Sequence, residues 1–301
     1  MTTCTRQAWL DLYGDGTVTI QLQNEALGYF CSSLDLGYPS PREVTSNNPD
    51  RNGISDRTRL LGGRVVTANI TALVGAGARI DDVADNFAPF MVPAARPILH
   101  YILDRPGAVE RIMTLRASGY SWPIAGPYQR DIQLQWMAAD PVAYDPVLRT
   151  AIAWSGSTTP PGRTYNLTFP RTYPAGSGAA MTAILNNAGD LTAWPLIRIY
   201  GPITAPRLNL QYQPNGISYT LGFNTSFVLS TNEWVDIDCA AHTINKMSDP
   251  NQSVISSVNW VTSSRWPSLP PLPTSILLSL YGTSTTTSSQ AVVTWHDGYL
   301  T

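Results

Sequence analysis

The sequence predicts a mainly β protein of two domains, the first β-rich with one short helix and the second an antiparallel β-sandwich. Three observations predict this. Pro (24) and Gly (22) recur at short intervals along the 301 residues. Between them lie short runs of alternating apolar and polar residues, the period of a strand with one buried face. A single segment carries helical periodicity, and the length suits two ordinary cores.

The opening reads as a hairpin. Ala8–Leu12 and Thr17–Gln23 flank Tyr13-Gly14-Asp15-Gly16, where Asp-Gly supplies the positive φ of a tight turn. A polar stretch from Pro39 to Arg59 is expected to be a long loop, of the kind that carries function or moves. Arg64–Val74 comes next as a strand, with Val66, Ala68, Ile70, Ala72 and Val74 on one face. Ile80, Val83, Ala84 and Phe87 then recur at i, i+3, i+4, i+7 and predict the helix. Asp81 and Asp82 suit the positive end of its dipole, and Pro89 and Pro93 stop it. Strands are expected again at Pro97–Leu103, Val109–Ala117 and Asp131–Ala138.

Asp140-Pro141 and Asp145-Pro146 mark the domain boundary, giving domains 1–146 and 147–301. After Pro146, and especially over Ser155–Arg163, the chain reads as loop. The remainder is nearly all strand: Thr164–Phe169, Ala180–Asn186, Pro195–Tyr200, Arg207–Gln213, Ile217–Gly222, Phe227–Leu229, Trp234–Asp238, Val254–Trp260, Ile276–Tyr281 and Ala291–His296. Short strands with turns at regular spacing predict two packed antiparallel sheets.

Composition narrows the function classes. With 43% hydrophobic residues, disorder is excluded. Charged residues are only 13%, about half the usual share. Thr, Ser, Asn and Gln fill the surface instead, which suits either large protein contacts or simply a hydroxyl-rich β protein. A net charge of −2, with Lys246 the sole lysine, gives no electrostatic basis for holding nucleic acid. Cys4, Cys31 and Cys239 are scattered and odd in number, fitting a reducing compartment or indifference to redox state. No secretion signal and no apolar run of roughly 20 residues is present, so a soluble, non-exported protein is expected.

Each candidate site meets a simpler structural explanation. His100, His242 and His296 lack the HxH or HxxxH neighbours of a metal site; His100 reads as a hydrogen-bonded strand residue. His296-Asp297 lacks a GxSxG partner and alternates across a strand. Asp236 and Asp238 share one strand face, the spacing a glycosidase requires, yet an edge strand with a polar face explains them equally well. Gly75-Ala76-Gly77-Ala78 lacks the Lys-Ser/Thr pair of a phosphate loop. Nine Trp and fourteen Tyr admit sugar stacking or core filling. Asn69, Asn166, Asn224 and Asn251 open Asn-x-Ser/Thr triplets, expected by chance in such a composition. No catalytic residue, cofactor or metal ligand is therefore expected.

Several motifs occur together in order. Asn187–Gly201 (NAGDLTAWPLIRIYG) resembles the N-x-G-(D/T)…P-x-(I/L)-x-(I/V)-x-G signature of distal tail proteins, minor tail proteins of long-tailed (siphovirus) bacteriophages. The strand pair around Pro206–Gly222, then Glu233–Asp238 leading to His242-Thr243-Ile244, is similar to the run of strands beyond that signature in the family. In the first half, Gly62-Gly63-Arg64 opens an extended strand, and Ile132–Pro141 resembles the family's v-x-l-x-a-x-D-P domain close. The resemblance implies a six-fold ring made by an N-terminal belt domain, at the junction of tail tube and tip baseplate. It implies an outward galectin-like C-terminal sandwich that anchors receptor-binding or other tip proteins. The implied partners are further copies of the chain in a homohexamer, the tail tube protein, the hub or tip protein and the tape-measure protein. DNA would only pass through the ring. The implied location is the virion tail tip, assembled in the host cytoplasm. The H-x-N-x-R residues of galectin sugar sites are not found. Two other readings stay open: a carbohydrate-binding or receptor-binding tip protein using an exposed Trp such as Trp234, and a cell-wall glycosidase using Asp236 and Asp238.

Overall fold

The computed structural model describes residues 7–42, 45–47, 54–56, 60–73, 80–104, 106–121, 129–155, 182–261, 263, 266–286 and 288–300. The chain divides into two compact units, Met1–Pro146 with Tyr299–Thr301, and Val147–Gly298. Both are built from antiparallel strand pairs, and Ile80–Phe87 is the α-helix among the described residues.

In the first unit the long Arg64–Leu73 strand pairs with Gln129–Ala138 over ten residues. Alternation explains why they meet: Val66, Ala68, Ile70 and Ala72 are buried against Ile132, Leu134, Trp136 and Ala138. Arg116–Ser121 and Tyr29–Asp35 flank this pair and complete a four-stranded sheet. A six-stranded sheet runs in the order Thr19–Gln21, Ala8–Asp11, Ile98–Ile102, Glu110–Thr114, Ala143–Tyr144, Gly298–Tyr299. Both sheets contribute to one core, with Leu10, Leu99 and Met113 from the second. The helix adds Val83, Ala84 and Phe87, all buried, as its periodicity predicts.

Polar side chains bridge the outer side of the four-stranded sheet. Gln133 Nε2 donates to Asn69 Oδ1 at 3.2 Å, Asn69 Nδ2 donates to Ser33 Oγ at 2.8 Å, and Thr71 Oγ1 donates to Asp131 Oδ1 at 2.9 Å. Asn69 thus serves as a cross-strand tie. Gly28 is in the left-handed region at φ 76°, and a Cβ there would sit 2.6 Å from Leu73 O. Only glycine fits that approach of the chain to the strand end.

In the second unit a five-stranded sheet runs Arg149–Trp154, Gln290–Trp295, Leu196–Tyr200, Trp234–Asp238, Thr243–Lys246. A second five-stranded sheet runs Ala183–Asn186, Ser275–Thr283, Ile203–Gln213, Ser218–Gly222, with Val228–Leu229 also paired to Ile203–Gln213. Ile197, Ile199, Val235, Ile237 and Val293 of one sheet share a core with Leu208, Leu210, Leu278 and Leu280 of the other. This is the expected sandwich. Its Asn187–Gly189 turn is locked by the Asn187 side chain, which donates to Leu191 O (2.6 Å) and Leu269 O (2.9 Å) and accepts from Gly189 N (3.0 Å). A Cβ at Gly189 would collide with Gly298 O. The signature residues Asn187 and Gly189 are thus turn chemistry.

Several expectations are corrected. Val109–Ala117 is two strands that turn from one sheet to the other at Leu115. Burial alternates unbroken through Arg111, Met113 and Leu115, so periodicity reports the buried face and not the sheet. Arg149–Trp154, read as loop, is an edge strand whose exposed Ile152 hides its alternation. Val254–Trp260 holds a 3₁₀ turn at Ile255–Ser257, its backbone bonded to Asn224 and Gly222. Cys31 is disulfide-bonded and Cys239 is a buried free thiol, so the cysteines are not three equivalent thiols. The Pro39–Arg59 stretch includes short paired strands at Pro41–Arg42, Thr45–Asn47 and Ile54–Asp56. Thr164–Phe169 and Gly75-Ala76-Gly77-Ala78 lie outside the described residues.

The chain's end completes the first unit. The Arg64 guanidinium is 1% exposed, and its Nη1 donates to Leu300 O at 2.9 Å. The Arg111 guanidinium lies 3.9 Å from the Tyr299 ring centre. Ending the chain at Gly298 is expected to cost the first unit about 3 kcal/mol, the scale of a lost charged hydrogen bond with its donor still buried. Chemical denaturation measures the loss, and Arg64→Met in the shortened chain should recover most of it, since an apolar group needs no partner. An unmoved midpoint contradicts the account. Buried Tyr29 donates its hydroxyl to Gln21 O at 3.0 Å, and burial pushes its phenol from 10.0 up to about 12. The fold favours the neutral phenol, so this contribution is full below pH 10 and is lost as pH rises through about 12. Tyr29→Phe is expected to remove part of that alkaline fall in denaturation midpoint.

Candidate functional site

A polar and aromatic constellation lies on the outer face of the sheet that holds Leu196–Tyr200. Leu196–Tyr200 turns Ile197 and Ile199 inward, so Leu196, Arg198 and Tyr200 face outward. Antiparallel register sets Arg198 opposite Asp236 and Tyr200 opposite Trp234. Arg198 Nε donates to Asp236 Oδ1 at 2.6 Å, and Nη2 donates to Oδ2 at 3.0 Å. Ser248, at φ 60° after the last strand, donates to Asp236 Oδ2 at 2.6 Å and accepts from Trp234 Nε1 at 3.1 Å. The guanidinium lies 5.4 Å from the Trp234 ring centre. The bond to Asp236 pushes the Arg198 guanidinium further above its already high value.

This geometry separates the two carboxylates that share the strand face. Asp236 is ion-paired and hydrogen-bonded through both oxygens. Asp238 Oδ1 turns to accept from Ala240 N (2.9 Å) and Ala241 N (2.8 Å), closing the turn into the next strand. A glycosidase requires one carboxyl held protonated as acid and a second positioned as nucleophile or base. Here both Asp236 oxygens are engaged by the fork-shaped Arg198 pair and Ser248, and Asp238 acts as a turn cap.

The remaining candidates resolve as structural groups. His100 Nδ1 is 2.6 Å from Glu110 Oε1, and its ring stacks on Trp9 at 5.0 Å. Asp297 is fully buried, accepting from Arg149 Nε (3.0 Å), Arg149 Nη2 (2.9 Å) and Trp295 Nε1 (3.2 Å). Burial pushes the Cys239 thiol well up, which keeps it unreactive. Among the described residues no group of three or more His, Cys, Asp or Glu is arranged to hold a metal ion. Among them also, no helix is long and apolar enough to cross a membrane.

Sequence reasoning missed one feature. Trp194, His242, Trp266 and Trp260 form a continuous chain of rings. Centroids are 6.0 Å apart for Trp194–His242, 4.9 Å for His242–Trp266 and 5.8 Å for Trp266–Trp260. Trp194 and Trp260 are each 46% exposed. His242, exposed in a turn at φ 56°, stacks on Trp266 at 14°. These rings come from three loops, so no periodicity could gather them. The His242-Thr243-Ile244 strand signal marked only the neighbourhood.

The Asp297 pair supplies a test. Removing Arg149, whose side chain is 44% exposed, strands a buried carboxylate; removing the acid leaves a cation that water can solvate. Arg149→Met is expected to destabilise the second unit by about 3 kcal/mol and Asp297→Asn by about 1 kcal/mol. Denaturation of the two variants measures the difference, and equal costs contradict it.

No protein-family model and no curated protein matches the sequence. Among solved structures, the chain is similar to SPP1 Dit, described as a paradigm of the hub adsorption apparatus in phages infecting Gram-positive bacteria. The match covers 98% of this chain and 100% of that one, with a TM-score of 0.59 and 13% identity. Chains of the phage P2 baseplate in its activated conformation match with TM-scores of 0.47 (calcium form) and 0.44 (strontium form). Each is 11% identical and covers 96% of this chain and 97% of that one. At such identities the likeness is one of fold, and the SPP1 match spans both units. The chain has a Dit-like fold.

Proposed function

We propose that this protein is a structural component of a phage tail tip, a distal tail protein that closes into a ring of six copies. The ring joins the tail tube to the tip proteins and adhesion apparatus. The observation that carries this reading is the Dit-like fold over 98% of the chain, both units included. In this reading residues 1–146 are the ring-forming belt and residues 147–301 a galectin-like arm. The partners are the tail tube protein, the hub or tip protein and, through them, tape-measure and receptor-binding proteins, with DNA passing through the lumen. The protein then resides in the virion of a siphovirus after assembly in the host cytoplasm.

A non-enzymatic role agrees with the side chains. Asp236, Asp238 and Asp297, the carboxylates that catalysis would call on, are held by Arg198, by turn amides and by Arg149. The low charge of the chain, 13%, suits surfaces that are desolvated on assembly.

Native mass spectrometry of the full chain at micromolar concentration tests the reading. A closed oligomer of six copies is expected; a chain that stays monomeric, alone and with tail-tube protein added, overturns it.

A further inference from the structure

The outer face of the sheet that holds Leu196–Tyr200 carries aromatic rings at both ends, with the Arg198–Asp236 pair, Leu196 and Val292 between them. At one end lie Tyr200 and Trp234, ring centres 6.4 Å apart. At the other, Trp194 continues the outward row of the Leu196–Tyr200 strand and leads into the His242–Trp266–Trp260 rings. Arg198 and Asp236 occupy the middle. From Trp194 to Tyr200 is six residues of extended chain, about 20 Å. We propose that this face is a binding site for an extended, uncharged glycan, with pyranose rings stacking on the indoles and hydroxyls bonding to the central pair.

Three features select that ligand chemistry. First, the rings are spread along the face, Trp194 and Trp260 exposed and Tyr200 and Trp234 half-buried, and a linear chain of sugar rings presents apolar C–H faces at repeated intervals along its length. A monosaccharide would engage one end only. Second, Arg198 and Asp236 cancel each other, so the centre neither attracts an anion nor repels one strongly. The Asp236 carboxylate accepts three hydrogen bonds out of about four it can take. A sugar hydroxyl, donor and acceptor at once, fits the remaining place without breaking the pair. Third, the site is rigid before binding: Ser248 ties Trp234 to Asp236, and His242 packs between Trp194 and Trp266. Binding then orders few side chains, which lowers its entropic cost.

The proposal is independent of the ring reading, and one set of samples separates them. The full chain is run in native gels containing arabinogalactan, galactomannan or β-glucan, with hyaluronan as a charged comparison. At least one neutral polysaccharide is expected to retard it. Trp194→Ala, Trp260→Ala and Trp234→Ala should each weaken retardation about tenfold, the scale of one aromatic contact. Trp194→Phe and Trp260→Phe, which keep a ring and preserve packing, should retain most of it. Ile184→Ala, on the other sheet and 60% exposed, should change nothing. Retardation by none of the neutral polymers, by hyaluronan alone, or equally in the alanine variants and the parent overturns the proposal. Native mass spectra of the same samples report the oligomer, so a failure here leaves the ring reading standing.

Discussion

The ten-residue register between Arg64–Leu73 and Gln129–Ala138 is the constraint on which the first unit depends. Side chains alternate across a strand, so a slip of one residue would turn Val66, Ala68, Ile70 and Ala72 to water and bring Thr67, Asn69 and Thr71 inside. The bulk of fully buried Trp136 on the partner strand sharpens the preference, because losing such a side chain from a core costs about 3–5 kcal/mol. With the register fixed, the outer face is fixed too: Gln133, Asn69 and Ser33 meet across three strands and satisfy one another. Arg64, the first residue of the strand, is carried inward by the same alternation and requires the carbonyl that Leu300 provides. One register thus sets the core, the polar face and the docking of the chain's end.

Charge is used in the same economical way. Arg149 holds Asp297, Arg198 holds Asp236, and Lys246 meets Glu233 at 2.8 Å. Glu233 sits below its ordinary value mainly because Lys246 bonds to it. Each of these pairs fixes a strand or a turn of the second unit. A catalytic carboxylate needs a free oxygen turned to its substrate; the carboxylates here are turned to Arg or Lys side chains and neighbouring hydrogen-bond donors. Surfaces built from hydroxyls and amides lose little on being covered, the physical requirement of a scaffold.

Much of this was legible in the sequence, and the exceptions share a cause. The Ile80–Phe87 helix, the Arg64–Leu73 strand and Trp234–Asp238 are legible from periodicity, because each buries one face in the core of its own unit. The Asn187-Ala188-Gly189 and Asp140-Pro141 motifs were legible as turns: Asn187 and Asp140 saturate nearby backbone groups, Asp140 Oδ1 accepting from Val142 N at 3.0 Å. What escaped depends on groups distant in sequence. Leu115 is a sheet corner hidden inside unbroken alternation, Arg149 meets Asp297 from 148 residues away, and the Trp194–His242–Trp266–Trp260 rings are gathered by three separate loops. Periodicity records what one element buries; it carries no record of which loops meet.

The central claim is that this chain works by assembly at the end of a phage tail. Electron cryomicroscopy of isolated tail particles containing the protein tests it most directly. The account predicts a closed ring of copies around the tail axis, at the junction of tube and tip, into which the 64–73/129–138 sheet fits. Particles lacking this fold at that junction, or holding a single unclosed copy there, would contradict it.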